Sequence, residues 1–311
     1  MAMRDDFAVF ILTHGRADRV NTVNTLKKGG YTGKTYLVID NEDDQREEYV
    51  KRYSKENVLI FDKQAEMEKC DTMDTFGKKG VILFARNACF ELAEKLGLSY
   101  FLELDDDYTS IDFRYPRGKT LTAKRCTDLD RLFSAMVDFL TASDALTVAF
   151  SQGGDYIGGV SGTYYGKLLT RKAMNSFFCR TDRPVGFFGT INEDVNTYTT
   201  LGSRGERIFS ITQAAIIQKE TQQNAGGMTG IYVDNGTYLK SFYTVMTMPS
   251  CVKIALMGTS HKRIHHNVAW ESCVPKILNQ RYRKEQEAVD HGEAQRETEK
   301  RDSETGVRGP L

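Results

Sequence analysis

The chain has 311 residues, 40% of them hydrophobic, enough to bury a large core. Its 42 Lys and Arg balance 42 Asp and Glu, so no overall basic field marks a nucleic-acid-binding protein, and no apolar run approaches the ~20 residues a membrane-spanning helix needs. Six scattered cysteines without a CxxC pair fit a reduced, cytoplasmic setting, and the charged start Met1 to Asp6 leads into no signal-peptide core.

In chain order, Phe7 to Leu12 is an apolar run of strand length that ends in the polar turn Thr13-His14-Gly15-Arg16. Val20, Val23 and Leu26 recur at helical spacing, Gly29-Gly30 stops that helix, and Thr35 to Asp40 reads as a second buried strand. A charged helical segment follows, then a third strand from Asn57 to Asp62. This alternation predicts an α/β fold with a mostly parallel sheet, in which ligands sit just beyond the carboxyl ends of the strands. Ala85, Ala88, Cys89, Leu92, Ala93 and Leu96 mark a further helix closed by Gly97, and the strand Leu98 to Leu104 delivers the chain into Asp105-Asp106-Asp107. Thr127 opens an amphipathic helix buried through Phe133, Met136, Val137 and Leu140, ahead of the strand Leu146 to Phe150. Gly153 to Gly166 and Gln222 to Thr237 read as long loops. From about Lys284 the chain is charged, poor in apolar residues, and reads as a disordered tail.

Three consecutive carboxylates repel one another unless cations or donors neutralise them. At the end of a strand, alternate side chains share a side, so Asp105 and Asp107 are placed to grip one hard cation and leave positions open for diphosphate oxygens. The plain structural alternative is a solvated acidic turn. Asn192-Glu193-Asp194 stands before Val195, Tyr198 and Leu201, at the start of a short helix that Gly202 ends. Carboxylates there serve either as a cap favoured by the helix dipole or as a general base. Three of the five histidines fall in Ser260-His261-Lys-Arg-Ile-His265-His266, where a histidine ligand or an exposed basic loop is equally consistent. On the acceptor side, Phe113-Arg-Tyr-Pro-Arg-Gly-Lys119 with Lys124-Arg125 interleaves cations and aromatics, and reads equally as a local basic surface for DNA phosphates or as a solvated loop. Tyr238, Lys240 and Tyr243 are a second such group.

Taken together, Ala85-Arg86-Asn87, the Asp-x-Asp of 105 to 107, Asn192-Glu193-Asp194 and a late histidine resemble a GT-A glycosyltransferase. More closely, Leu102 to Tyr108, Phe187 to Asn196, His265 to Trp270 and Val274 to Leu278 resemble the TET/JBP-associated glycosyltransferases, phage proteins implicated in glycosylating hydroxymethylated pyrimidines in DNA. The resemblance implies a GT-A-like, Rossmann-like mostly parallel sheet with flanking helices. One glycosyltransferase domain would span 1–283, with a nucleotide-sugar half to about 110 and an acceptor half beyond it. It implies that Thr13, Arg16 and Asp40 border the nucleotide base and ribose and that Arg86 lies near the diphosphate. Asp105 and Asp107 would hold Mn²⁺ or Mg²⁺, with His265 or His266 as a later ligand, although the run of three leaves Asp106 with a neighbour as another pair. Asp194 or Glu193 would activate the acceptor hydroxyl if the reaction inverts configuration. The implied donor is a UDP sugar, and the implied acceptor is hydroxymethylcytosine or hydroxymethyluracil in DNA. Competing readings are a nucleotidyltransferase attacking phosphorus, a transferase with a non-DNA acceptor, a two-metal nuclease, and a non-catalytic binder of modified DNA.

Overall fold

In the first strand, β1 (Phe7–Leu12), every residue is buried: Ala8, Phe10 and Leu12 enter one hydrophobic core, while Phe7, Val9 and Ile11 enter another on the opposite face of the sheet. Two-sided burial is why its sequence is a continuous apolar run rather than a polar alternation. The computed structural model describes residues 3–75, 77, 81–167, 173–218, 229–257 and 262–283, and for 229–237 the backbone only. The tail from residue 284, residues 222–228 and His261 lie outside those residues.

After β1 come α1 (Asn21–Lys28), β2 (Lys34–Asp40), α2 (Arg46–Tyr53), β3 (Val58–Phe61), α3 (Lys63–Lys69), α4 (Leu83–Lys95) and β4 (Tyr100–Asp105). Then follow β5 (Tyr108–Arg117), β6 (Thr120–Arg125), α5 (Leu129–Ala142), β7 (Thr147–Ser151), β8 (Ser176–Arg180), α6 (Glu193–Ser203) and β9 (Ile208–Gln218). The described chain continues through α7 (Thr229–Thr247), β10 (Val252–Met257), β11 (Arg263–Val268) and α8 (Trp270–Cys273). Nine strands form one sheet in the order β3-β2-β1-β4-β8-β7-β9-β5-β6, and β10 pairs with β11 apart from it. The first four positions are parallel, and only β8 and β5 run against the rest of the nine. The chain leaves β1 toward β2 on one side and returns to β4 on the other, so the ends of β1 and β4 flank the point where strand order reverses.

α4, α6 and the described part of α7 pack on one face of the sheet, through residues such as Phe84, Tyr198 and Tyr243. α1 and α5 cover the other face through Leu26, Phe133 and Met136. The helix start at Leu129 is set by Asp128, whose side chain accepts from the Arg131 amide.

Two sequence expectations are corrected. The segment Phe113 to Arg125 is a β-hairpin and not a loop: β9 holds β5 as far as Phe113, and from Asp112 to Arg117 the strand pairs with β6, beneath exposed charged side chains that mask the strand period. Thr229 to Thr237 belongs to a helix and not to a loop; Gly230 and Gly236 there lower helix propensity without preventing the helix. Residues 1–277 form one compact unit. In the second, 278–311, the described residues make a short 3-10 turn at Gln280–Tyr282 that Asn279 caps.

Candidate active site

The carboxyl ends of β1, β2 and β4 bring together residues that lie far apart in sequence. Gly15 takes a left-handed backbone (φ 63°), and its amide donates to Asp43 Oδ2 at 2.8 Å, which folds the turn after β1 back over the end of β2. The Tyr49 hydroxyl accepts from the Arg16 amide at 2.9 Å and meets the Thr13 hydroxyl at 3.0 Å. Thr13 in turn donates to Asp106 Oδ2 at 2.7 Å, and Arg16 Nη1 donates to Asp106 Oδ1 at 3.0 Å. Both oxygens of Asp106 are therefore engaged by the β1 turn. Thr22 of α1 fixes the same acidic turn from behind, donating to the Asp105 carbonyl at 2.6 Å and accepting from the Tyr108 amide at 3.1 Å.

Asp105 and Asp107 are held differently. Asp107 Oδ2 accepts from Gln218 Nε2 at 3.1 Å, while its Oδ1 is buried with no hydrogen-bond partner among the described residues. Burial pushes the Asp107 carboxyl up, with Gln218 opposing the shift and the Asp106 charge adding to it. Burial also pushes Asp105 up to about 7, against the pull of Arg86 and with the help of the Asp107 and Asp106 charges. A divalent cation would relieve both carboxylates, and the open Asp107 oxygen gives it a ligand, so the pair fits Mn²⁺ or Mg²⁺. Among the described residues no three His, Cys, Asp or Glu side chains form a ready ligand cluster. His265 and His266 lie on β11, paired with Ala255 and Ile254, with their rings stacked at 4.4 Å; they are not assembled with Asp105 and Asp107 into such a cluster.

Arg86 occupies the centre of the site. Its side chain is 1% exposed and donates from Nε to Glu193 Oε1 at 3.0 Å, from Nη1 to Glu103 Oε2 at 3.3 Å and from Nη2 to Asp105 Oδ1 at 3.5 Å. The guanidinium also lies over the rings of Phe177 and Phe187, 5.1 and 5.7 Å from their centres. Glu103 is wholly buried, which raises its carboxyl to about 8 despite Arg86. The guanidinium expected near a diphosphate is thus engaged by three carboxylates. Glu193 and Asp194 open α6, both buried, and Asn192 before them is left-handed (φ 55°) and donates through Nδ2 to the Lys240 carbonyl at 3.0 Å and to Thr244 Oγ1 at 2.8 Å. Those two bonds fasten the start of α6 to α7.

Asp40, at the end of β2, is bound by His14 Nδ1 at 2.7 Å and by the buried Lys63 Nζ at 2.8 Å. Burial alone would raise Asp40, but these two hydrogen bonds outweigh it and hold the carboxyl at about 2. Sequence reasoning singled out Asp40, Thr13 and Arg16 but missed His14, Lys63, Tyr49 and Gln218. The first two follow directly on the polar ends of predicted strands, a signal that was present; nothing in the local sequence marks Tyr49 or Gln218.

A sequence-family model described as TET-Associated Glycosyltransferase matches residues 7–227. No curated protein sequence matches the chain. Among solved structures, S. aureus TarS in complex with UDP-GlcNAc is similar, with a TM-score of 0.42 and 15% identity over 70% of this chain; the matched region is 59% of the TarS chain. Glucosyl-3-phosphoglycerate synthase from Mycobacterium tuberculosis, in complex with Mg²⁺ and UDP, aligns with a TM-score of 0.44 and 8% identity over 84% of this chain and 87% of that one. The α/β architecture expected from the sequence, with helices on both faces of a large central sheet, is the one the chain adopts.

Proposed function

The chain belongs to the TET-associated glycosyltransferase family, and from that premise we propose that it transfers a sugar from a UDP sugar to the hydroxyl of a 5-hydroxymethylated pyrimidine, hydroxymethylcytosine or hydroxymethyluracil, in DNA. The observation that supports an active site of this kind is the single buried guanidinium of Arg86 between Asp105, at the end of β4, and Glu193, at the start of α6. It brings the aspartate-bearing end of β4 and the acidic helix start into one site.

In this reading Thr13, Arg16 and Asp40 border the base and ribose of the donor. Asp105 and Asp107 hold Mn²⁺ or Mg²⁺, which when bound would neutralise charge on the departing diphosphate. Asp194 takes the proton of the acceptor hydroxyl as its oxygen attacks the anomeric carbon in an inverting displacement, and the carbon–oxygen bond to the diphosphate breaks. Glu193 Oε1 is already engaged by Arg86 Nε at 3.0 Å, which leaves it a structural partner of that guanidinium, so the role of base is given to Asp194. Arg86 itself holds the carboxylates in place and keeps like charges from driving them apart.

Release of UDP from a panel of UDP sugars, measured with Mn²⁺ and with chelator, tests the donor and metal parts. Metal-dependent UDP release that is lost in Asp107→Asn supports the reading. Release that is indifferent to chelator and to this substitution overturns it.

A further inference from the structure

The β5–β6 hairpin begins one residue after Asp107 and forms the edge of the nine-stranded sheet. Residues 108–125 carry Arg114, Arg117, Lys119, Lys124 and Arg125 against the single acid Asp112, in a chain whose total charge is zero. Strand alternation and the pairing register sort these side chains onto two faces. Arg125 stands opposite Asp112, and Arg114 lies over the Tyr156 ring at 4.9 Å while its carbonyl accepts from the Tyr165 hydroxyl at 3.1 Å. The Tyr156 hydroxyl donates to the Thr212 carbonyl of β9, so this face is braced against the body of the sheet.

The other face carries Phe113 opposite Lys124, Tyr115 opposite Thr122, and Arg117 opposite Thr120, with no carboxylate among them. Phe113 and Tyr115 are 38% and 42% exposed. Charged side chains on an edge strand are explained by protection against edge-to-edge pairing. Two exposed aromatics on the same face are not, since they would promote the association that the charges prevent. Cations alternating with aromatic rings on a braced strand pair match the chemistry of an unpaired nucleic-acid strand, with phosphates for the cations and bases for the rings.

We propose that this face of the hairpin, together with Lys119 in the turn at its tip, binds single-stranded DNA, with Phe113 and Tyr115 stacking on bases and Arg117, Lys119 and Lys124 meeting phosphates. The assignment rests on the proposed DNA acceptor only for its biological sense; the binding it describes is separable from sugar transfer. At ~3.4 Å per strand residue, Phe113 stands roughly 17 Å along β5 from Tyr108, the residue that follows Asp107.

The test is fluorescence anisotropy with a labelled oligothymidylate as a function of salt, on the parent protein, on Phe113→Ala and Tyr115→Ala, and on the triple Arg117→Gln, Lys119→Gln, Lys124→Gln. UDP affinity and melting temperature, measured in parallel, report that each variant is folded. The proposal expects each aromatic truncation to weaken binding roughly tenfold and the triple variant to flatten the log K against log salt slope by about 2. Absence of parental binding, or folded variants with unchanged affinity and slope, overturns it even if sugar transfer to DNA is found. Hairpin-dependent binding without sugar transfer overturns the acceptor assignment and leaves this one standing.

Discussion

Arg86 Nε donates to Glu193 Oε1 at 3.0 Å across 107 residues of sequence, and this bond joins α4 to the start of α6 around a guanidinium that is only 1% exposed. The same guanidinium reaches Asp105 and Glu103, so its removal would strand three carboxylates away from water. Breaking a buried ion pair from one side costs about 3–5 kcal/mol, more than most surface changes. Arg86→Met is expected to lower stability by about that amount in denaturant titration and to abolish turnover. Arg86→Lys keeps the charge but not the three-way fork, so it should recover part of the stability and little of the activity.

The three aspartates should separate by phenotype. Asp107 presents an unpartnered oxygen, whereas both oxygens of Asp106 are used by Thr13 and Arg16. Asp107→Asn should lower turnover by about 100-fold or more and raise the metal concentration required, with little change in melting temperature. Asp106→Asn can accept from only one of its two donors well, and is expected to cost about 1.5–3 kcal/mol of stability while leaving the metal requirement unchanged. Paired thermal melts and metal titrations distinguish the two.

His14 and Asp40 give a pH signature. The hydrogen bond to Asp40 raises the His14 imidazolium above its ordinary 6.5, against the opposing effect of its burial. Protonated His14 therefore contributes stability that is fully present below about pH 6.5 and lost as pH rises through its raised value. Asp40 is held at about 2, so its contribution is present above its ordinary 3.8 and lost as pH falls through about 2. The pair is expected to stabilise most between those limits. An NMR titration should find the His14 pKa above 6.5 in the parent and lower in Asp40→Asn.

Gly202 reports on packing behind the site. A Cβ there would come within 2.1 Å of the Cys273 carbonyl oxygen, a backbone atom that cannot swing aside. Gly202→Ala is expected to push α8 from α6 and cost about 1–3 kcal/mol, read as a fall in melting temperature.

Gly202 also marks where local reading stops. Its spacing after Val195 and Tyr198 suggests a helix stop, yet α6 continues to Ser203, and the glycine is required by a chain segment 71 positions later. The strands Phe7–Leu12, Lys34–Asp40 and Tyr100–Asp105 were legible because burial leaves runs that are mostly apolar, broken in the third by Glu103, and that lead into polar residues. The hairpin was not, since its outer strand has one partner, and exposure erases the alternation by which strands are recognised. At the site, the acidic run and the acidic start of α6 were visible as charge patterns. Their meeting at Arg86 and the engagement of Asp106 by Thr13 were not, because both depend on pairs about 90 or more residues apart.

Mass spectrometry of nucleosides tests the central claim most directly, after incubating the protein with Mn²⁺, a panel of UDP sugars, and either hydroxymethylated or unmodified DNA. A mass gain of one sugar, confined to the hydroxymethylated base and absent in Asp105→Asn and Asp107→Asn, is the predicted result. UDP release from a donor with no sugar on any DNA base would contradict the acceptor, and neither UDP release nor transfer with any donor would contradict the account of the site itself.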